Sequence, residues 1–255
     1  MSLNSNLDNL RIIEVDCAYE QLENSELREV FANLLCMRRR GYTSRHPTDA
    51  LPVDTYDFIG TQYLMVEEKE GKFHFLGGVR MVSLKRANQY NLPLPIFSLM
   101  NSVKADRHVA FLEQTCKISD SASSAETQFT YVSSWTFTPE ARANPELTQK
   151  LHQVFLTINV FSHRELKNQV RIALGIPRLK TDLRIQWMGY ERATDASGQL
   201  PPVMHSGLSG EPVVLLSLPH GHSSECSQEA ELHAKLWHER LVFKVPAELN
   251  KQKVA

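Results

Sequence analysis

The chain has 255 residues and a mass of 29.1 kDa, enough to bury a substantial core as one domain or as one domain with appendages. With 42% hydrophobic residues, 22% charged residues and a formal net charge of −1, it has the balance of a soluble globular protein and lacks the basic field of a nucleic-acid binder. No apolar run reaches the length of a bilayer span, no basic segment and apolar run open the chain, and Cys17, Cys36, Cys116 and Cys226 form no C-x-x-C pair, so the expectation is a cytoplasmic protein with reduced thiols and no signal peptide.

Arg11 to Val15 is a short apolar run, expected as an edge strand. From about Ala18 to Arg40, Leu22, Leu27, Val30, Phe31, Leu34 and Leu35 recur at three- and four-residue spacing. That period predicts a helix, closed by the cations Arg38-Arg39-Arg40 and then Gly41. Thr43 to Pro52 reads as a loop. Gln62 to Val66 and Phe73 to Leu84 are apolar strands joined through the polar Glu67 to Lys72, the clearest hairpin in the chain.

Leu92 to Pro95 is extended by its prolines. Val109 to Cys116 is a short helix, and Ser119 to Ser124 a surface loop. Phe129 to Thr138 predicts a strand with Tyr131, Ser133, Trp135 and Phe137 on one face. Pro145 opens a helix with Leu147, Leu151, Val154, Phe155 and Ile158 as its stripe. Val170, Ile172 and Leu174 alternate with Arg171 and Ala173, a strand ending at Gly175. Leu179, Leu183 and Trp187 predict a helix from Pro177 to Met188, stopped by Gly189, and Val213 to Leu218 is a short buried strand. Composition shifts at His220. The expected division is a domain over 1–219 and a helical C-terminal extension over 220–255, with a helix from Glu229 to Leu241 whose apolar side is Leu232, Leu236 and Trp237.

The chemistry concentrates between Arg28 and Arg80. Asp54-Thr-Tyr-Asp57 precedes one apolar strand, and Gly77-Gly78-Val79-Arg80 sets an arginine inside the next. A buried cation is costly unless paired, so Arg80 needs carboxylates, and Asp54 and Asp57 are the nearest, with Arg28 as a further member. Two readings follow: a clamp for an amine or carboxylate ligand, or an ion-pair network that holds helix and loop on the sheet. The apolar Phe97, Leu99, Met100, Phe111, Leu112 and Phe155 serve core packing or line an apolar tunnel. His220, His222, Cys226, His233 and His238 lack the helical spacing of a metal motif, and no metal site is expected. There is no phosphate-binding Gly-x-x-x-x-Gly-Lys loop, dinucleotide Gly-x-Gly-x-x-Gly run or Gly-x-Ser-x-Gly elbow.

The order of these elements resembles the acetyltransferase-like (GNAT) fold, an α/β class with a mixed central sheet flanked by helices. Residues 28 to 84 are similar to the acyl-homoserine-lactone synthases and long-chain N-acyl amino acid synthases. The resemblance rests on Arg28 and Phe31 on the helix, the turn Arg40-Gly41-Tyr42, the Asp-x-x-Asp of Asp54 and Asp57, the strand Tyr63 to Val66 and the Gly-x-x-Arg of Gly77 and Arg80. Trp187-Met-Gly189-Tyr190 is similar to the late Gly-aromatic segment of that fold. Three features depart from the lactone synthases: Pro52 replaces a glutamate, the strand at 130–137 has no Glu-x-x-Arg pair, and the Asn101–Gln128 segment is longer. Lactone formation is therefore not implied.

What the resemblance implies is an N-acyltransferase that moves a fatty acyl group from acyl carrier protein or acyl-CoA to the amine of an amino-acid-like acceptor. No tightly bound cofactor is implied; the thioester is a co-substrate. Asp54, Asp57 and Arg80 take the catalytic place, Ser133, Ser134 and Trp135 the acyl donor, and Arg28 and Tyr42 the acceptor. Arg38, Arg39 and Arg40, joined by Arg45, Arg164, Lys167 and Arg171, offer a docking face for an acidic carrier protein. The same arginine run also reads as a solvated helix end. The alternative function is a catalytically inactive member of the fold that binds a lipid, a metabolite or a protein partner.

Overall fold

The computed structural model describes residue 7 and residues 9–44, 53–121, 129–166, 170–205 and 210–244. Strand β1 (Leu10–Asp16) and a 3-10 turn (Ala18–Gln21) precede helices α1 (Ser25–Thr43) and α2 (Thr55–Ile59). Strands β2 (Thr61–Lys69) and β3 (Lys72–Ser83) lead to α3 (Leu84–Gln89), α4 (Pro95–Ser102) and α5 (Asp106–Ser121). Next come β4 (Phe129–Phe137), α6 (Pro139–Ala143), α7 (Pro145–Glu165), β5 (Val170–Gly175) and α8 (Thr181–Trp187). The chain continues through β6 (Glu191–Arg192), β7 (Val203–His205), β8 (Glu211–Leu218), α9 (Ser224–Glu231), α10 (Ala234–His238) and β9 (Leu241–Phe243). The class is mixed α/β, with helices flanking a mixed sheet, and the chain gathers into two compact units.

The first unit comprises residues 1–80, 134–158 and 231–255. Strand β1 runs antiparallel to β2, from Leu10↔Glu67 to Asp16↔Thr61, and parallel to β9, from Ile13↔Leu241 to Val15↔Phe243. The run 11–15 is thus an interior strand, not the expected edge. Ile12, Ile13 and Val15 are all buried, as a strand covered on both faces and both sides requires.

Asn24 caps α1 by accepting the Glu26 and Leu27 N–H groups, and Leu27, Val30, Phe31, Leu34 and Met37 form its buried stripe. The helix passes Gly41 and ends at Thr43. Gly41 is there for space: a Cβ would lie 2.9 Å from the Phe137 carbonyl oxygen. Gly77 makes the same close approach from β3, where a Cβ would lie 2.5 Å from the Phe137 ring and 2.8 Å from the Thr136 carbonyl oxygen. The expected hairpin is present but longer, with Glu70 and Gly71, φ 52° and 71°, as a two-residue turn.

The second unit comprises residues 81–133 and 159–230. Here β4 pairs in parallel with β5 from Phe129↔Val170 to Val132↔Ala173, and β5 is antiparallel to β8. Strands β6 and β7 also pair with β8. Pro95, expected in an extended run, instead opens α4, where its missing N–H costs nothing. The helix expected over 177–188 is split at Lys180, φ 55°, into a 3-10 turn (Pro177–Leu179) and α8. Arg171 alternates on β5 as expected but faces protein: it is fully buried and donates to the Asn159 carbonyl at 2.8 Å and the Ser162 hydroxyl at 3.0 Å.

The tail is not one helix over 229–241 but α9, α10 and β9. Leu232 lies exposed between the helices, whereas Trp237 is buried and its ring carries the Arg240 guanidinium 3.8 Å from its centroid. Arg240 also donates to Glu14 Oε2 at 2.6 Å, which fastens the link between α10 and β9 to β1. Among the described residues, no helix is long and apolar enough to cross a membrane.

Candidate functional site

Helix α2 exists because Asp54 and Asp57 close a capping box. Asp54 accepts the Tyr56 N–H at 2.9 Å, and Asp57 Oδ2 accepts the Asp54 N–H at 2.9 Å. Arg80 reaches this turn from β3. It grips Asp54 with both terminal nitrogens, at 2.5 and 3.2 Å, and Asp57 Oδ1 at 2.8 Å. Arg38, from α1, donates to the same Asp57 Oδ1 and to Gln62 Oε1 at 2.8 Å, while Gln62 donates to the Asp57 carbonyl at 3.0 Å. Burial alone would lower the Arg80 pKa, but Asp57 and then Asp54 overcome it and the net shift is upward.

The two aspartates differ in what they can still do. The Asp57 side chain is 0% exposed and both its oxygens are taken, so it is a structural anchor. The Asp54 side chain is 51% exposed and offers a carboxylate face toward solvent. Tyr56 lies with its ring centroid 5.9 Å from the Arg80 guanidinium, and the Tyr42 phenol is close enough to raise the Arg80 pKa further.

Arg28 does not join this cluster. Its guanidinium donates to the Leu22 and Glu23 carbonyls at 2.8 and 3.2 Å, at the exposed start of α1. Arg38 takes the place expected of Arg28, with Tyr42 one turn farther along. The missed members, Arg38 and Gln62, had a legible signal: Arg38 sits four residues after Leu34 on the apolar stripe, where a cation needs a buried partner.

Strand β4 carries the second candidate feature. Ser134 has φ 57°, a bulge in the strand backbone, while Trp135 and Phe137 share one face as expected. Ser133, Ser134 and Trp135 are all half-buried, and the β4–β5 ladder of the second unit ends at Val132. In the first unit, the Trp135 indole stacks on Phe155 of α7 at 3.9 Å and 3°, with His152 at its edge, 5.5 Å away. Phe137 meets the same His152 at 5.1 Å. Thr136 points the other way, toward Gly41 of α1.

The basic run is not the expected open face. Arg38 is buried, which removes it from any docking surface; Arg40 pairs with Glu140; Arg39 is exposed. Arg171 is buried as well, and Arg45, Lys167 and Pro52 lie outside the described residues; of the Ser119–Ser124 run expected as a loop, the part to Ser121 continues α5 and the remainder lies outside them too. Met100, Leu112 and Phe155, weighed as tunnel residues, are core side chains. In the tail, both His222 ring nitrogens face backbone carbonyls, Met188 at 3.0 Å and Asn159 at 3.2 Å, and burial pushes its pKa down to about 3. Among the described residues, no group of three histidine, cysteine or acidic side chains is placed to hold a metal.

Neither a known family model nor a curated protein matches the sequence. Solved structures do. BjaI, a CoA-dependent acyl-homoserine lactone synthase with SAM and isopentyl-CoA, is 10% identical, with 96% of this chain and 100% of that chain covered and a TM-score of 0.51. MesI, another CoA-dependent acyl-homoserine lactone synthase, is 16% identical over 88% and 95% of the two chains, with a TM-score of 0.49. FeeM, an N-acyl amino acid synthase from uncultured soil microbes, is 12% identical over 82% and 90%, with a TM-score of 0.43. The chain has the acyl-CoA N-acyltransferase-like fold expected from the order of its elements.

Proposed function

We propose that this acyltransferase-like fold works as an N-acyltransferase, moving an acyl group from a thioester to the amine of an amino-acid-like acceptor. The observation that carries the reading is the left-handed backbone at Ser134, φ 57°, just past the end of the β4–β5 ladder at Val132 and beside two half-buried serines. The donor is acyl-CoA or an acyl carrier protein; the solved relatives BjaI and MesI are described as CoA-dependent.

The amine must lose a proton, the thioester oxygen gathers charge as the amine attacks, and the thiolate leaves as the new amide forms. In this reading the Ser134 N–H and the Ser133 and Ser134 hydroxyls meet the developing oxyanion. Asp54, held by Arg80, presents its free carboxylate face to the acceptor ammonium, with Tyr42 beside it. Asp57 and Arg80 act by positioning Asp54. Arg39 and Arg40 remain as the carrier-protein contacts. The competing reading, a binding module without turnover, draws on one observation: Arg38, Arg80, Asp57 and Gln62 are committed to one another.

The test is thiol release from a panel of acyl carrier protein and coenzyme A thioesters, with free amino acids and S-adenosylmethionine as acceptors and products read by mass spectrometry. Acceptor-dependent release supports the transferase. Silence from folded, monodisperse protein across the panel favours the binding module.

A further inference from the structure

Strand β4 separates two chemically different faces within the first unit. On the α1 and α2 side lie Thr136, Gly41 and the charged group of Arg38, Asp57 and Arg80. On the α7 side lie Trp135, Phe137, His152 and Phe155, ring against ring. An acyl chain attached to a thioester at Ser134 has to bury its methylenes, and the charged side would leave carboxylates and guanidinium groups facing hydrocarbon. It therefore runs toward α7.

There it meets Trp135, the residue immediately after the bulge. The indole lies parallel to Phe155 with 3.9 Å between centroids, and the Phe137 ring stands edge-on to it at 6.0 Å and 84°. Phe155 is itself 3% exposed and packed in the core. The stack is thus backed by the body of the unit, and close-packed rings in staggered rotamers yield little.

We propose that Trp135, braced by Phe155, is the chain-length determinant of the acyl site and restricts it to short acyl groups. This rests on the transferase reading above and narrows its expected fatty donor to the short end of the series. Replacing the indole by a methyl group opens room for several more methylenes, each worth about fourfold in binding once buried.

The experiment compares the wild type with Trp135→Ala and Trp135→Phe on butyryl-, hexanoyl-, octanoyl-, decanoyl- and dodecanoyl-CoA, using the best acceptor from the panel. The readout is acceptor-dependent kcat/KM at each chain length, with circular dichroism and thermal melting to establish folding. The wild type should favour butyryl and hexanoyl and fall steeply from octanoyl onward. Trp135→Ala should move the fall toward dodecanoyl, gaining about fifteenfold for each two carbons on the longer donors. Trp135→Phe keeps a ring on Phe155 and should shift the profile by one step. A wild type that prefers dodecanoyl, or folded variants whose length profile is unmoved, would overturn the assignment while leaving the transferase reading intact. A wild type silent on every donor and acceptor would overturn both.

Discussion

Arg38 and Asp57, 19 positions apart in the chain and 1% and 0% exposed, form a buried ion pair that joins α1 to the capping box of α2. The Arg38 charge is tolerated because Asp57 answers it, and Asp57 in turn answers Arg80 as well. Removing one partner of such a pair leaves an uncompensated buried charge, at a cost of about 3–5 kcal/mol. Arg38→Ala should lose stability by that amount in urea unfolding, and Arg39→Ala, one residue along on the exposed face, by less than about 0.5 kcal/mol. Equal effects would remove the pair from the account of the fold.

The two aspartates should separate under the same conservative change. Asp57→Asn removes the negative charge that answers Arg38 and Arg80 and sets an NH2 donor against either the Asp54 N–H or the guanidinium groups, so its loss should appear as a lower unfolding midpoint. Asp54→Asn keeps its cap oxygen and should stay folded, while acceptor-dependent turnover drops about tenfold or more. A stable, fully active Asp54→Asn protein would strike Asp54 from the site.

Arg39 and Arg40 supply the test of carrier docking. Reversal of both to Glu should weaken binding of an acyl carrier protein, with the wild-type affinity falling as salt rises and that of the variant changing less. Coenzyme A thioesters should be used equally well by both proteins. Equal carrier affinity at low salt would confine the donor to coenzyme A.

His222 predicts an acid-labile second unit. Its folded pKa, about 3, lies below the ordinary value of 6.5, so between those limits the unfolded chain binds the extra proton and the folded one does not. Stability from this residue is therefore complete above about pH 6.5 and is lost as pH falls, by up to about 1.4 kcal/mol per pH unit. Urea midpoints from pH 7 to pH 4 should drop more steeply for the wild type than for His222→Gln. Parallel curves would place the acid sensitivity elsewhere.

Gly77 tests the close approach of β3 to β4. Gly77→Ala pushes a methyl group into the Phe137 ring and the Thr136 carbonyl, and should cost about 1–3 kcal/mol in urea unfolding. An unchanged midpoint would mean that β4 gives way freely.

Periodicity made the long elements legible: the stripe of α1, the β2–β3 hairpin, β4, α7 and β5 all follow from apolar spacing of 3.6 or 2. Asp54, Asp57 and Arg80 were legible as partners because a cation inside an apolar strand demands anions. What escaped were facts set by tertiary contact. Gly41 looks like a stop, yet it sits inside α1 because β4 passes too close for a side chain. Arg38 looks like part of a surface run, yet its place on the stripe turns it inward. Ser134 and Lys180, at φ 57° and 55°, are non-glycine residues in the left-handed region, where no local residue preference announces a bulge or a broken helix. The tail escapes because Leu232, Leu236 and Trp237 look like one apolar side, yet Leu232 is exposed and Trp237 buried.

The pairing of β1 with β9 bears on how the protein is made. Leu10–Asp16 leaves a ribosome long before its parallel neighbour Leu241–Phe243. Until Leu241–Phe243 emerges, one flank of β1 must wait with unpaired N–H and C=O groups next to Ile13 and Val15. The first unit therefore closes only after the second has been synthesised, and a chain stalled or clipped ahead of Leu241 carries an open, apolar strand edge that quality control can read.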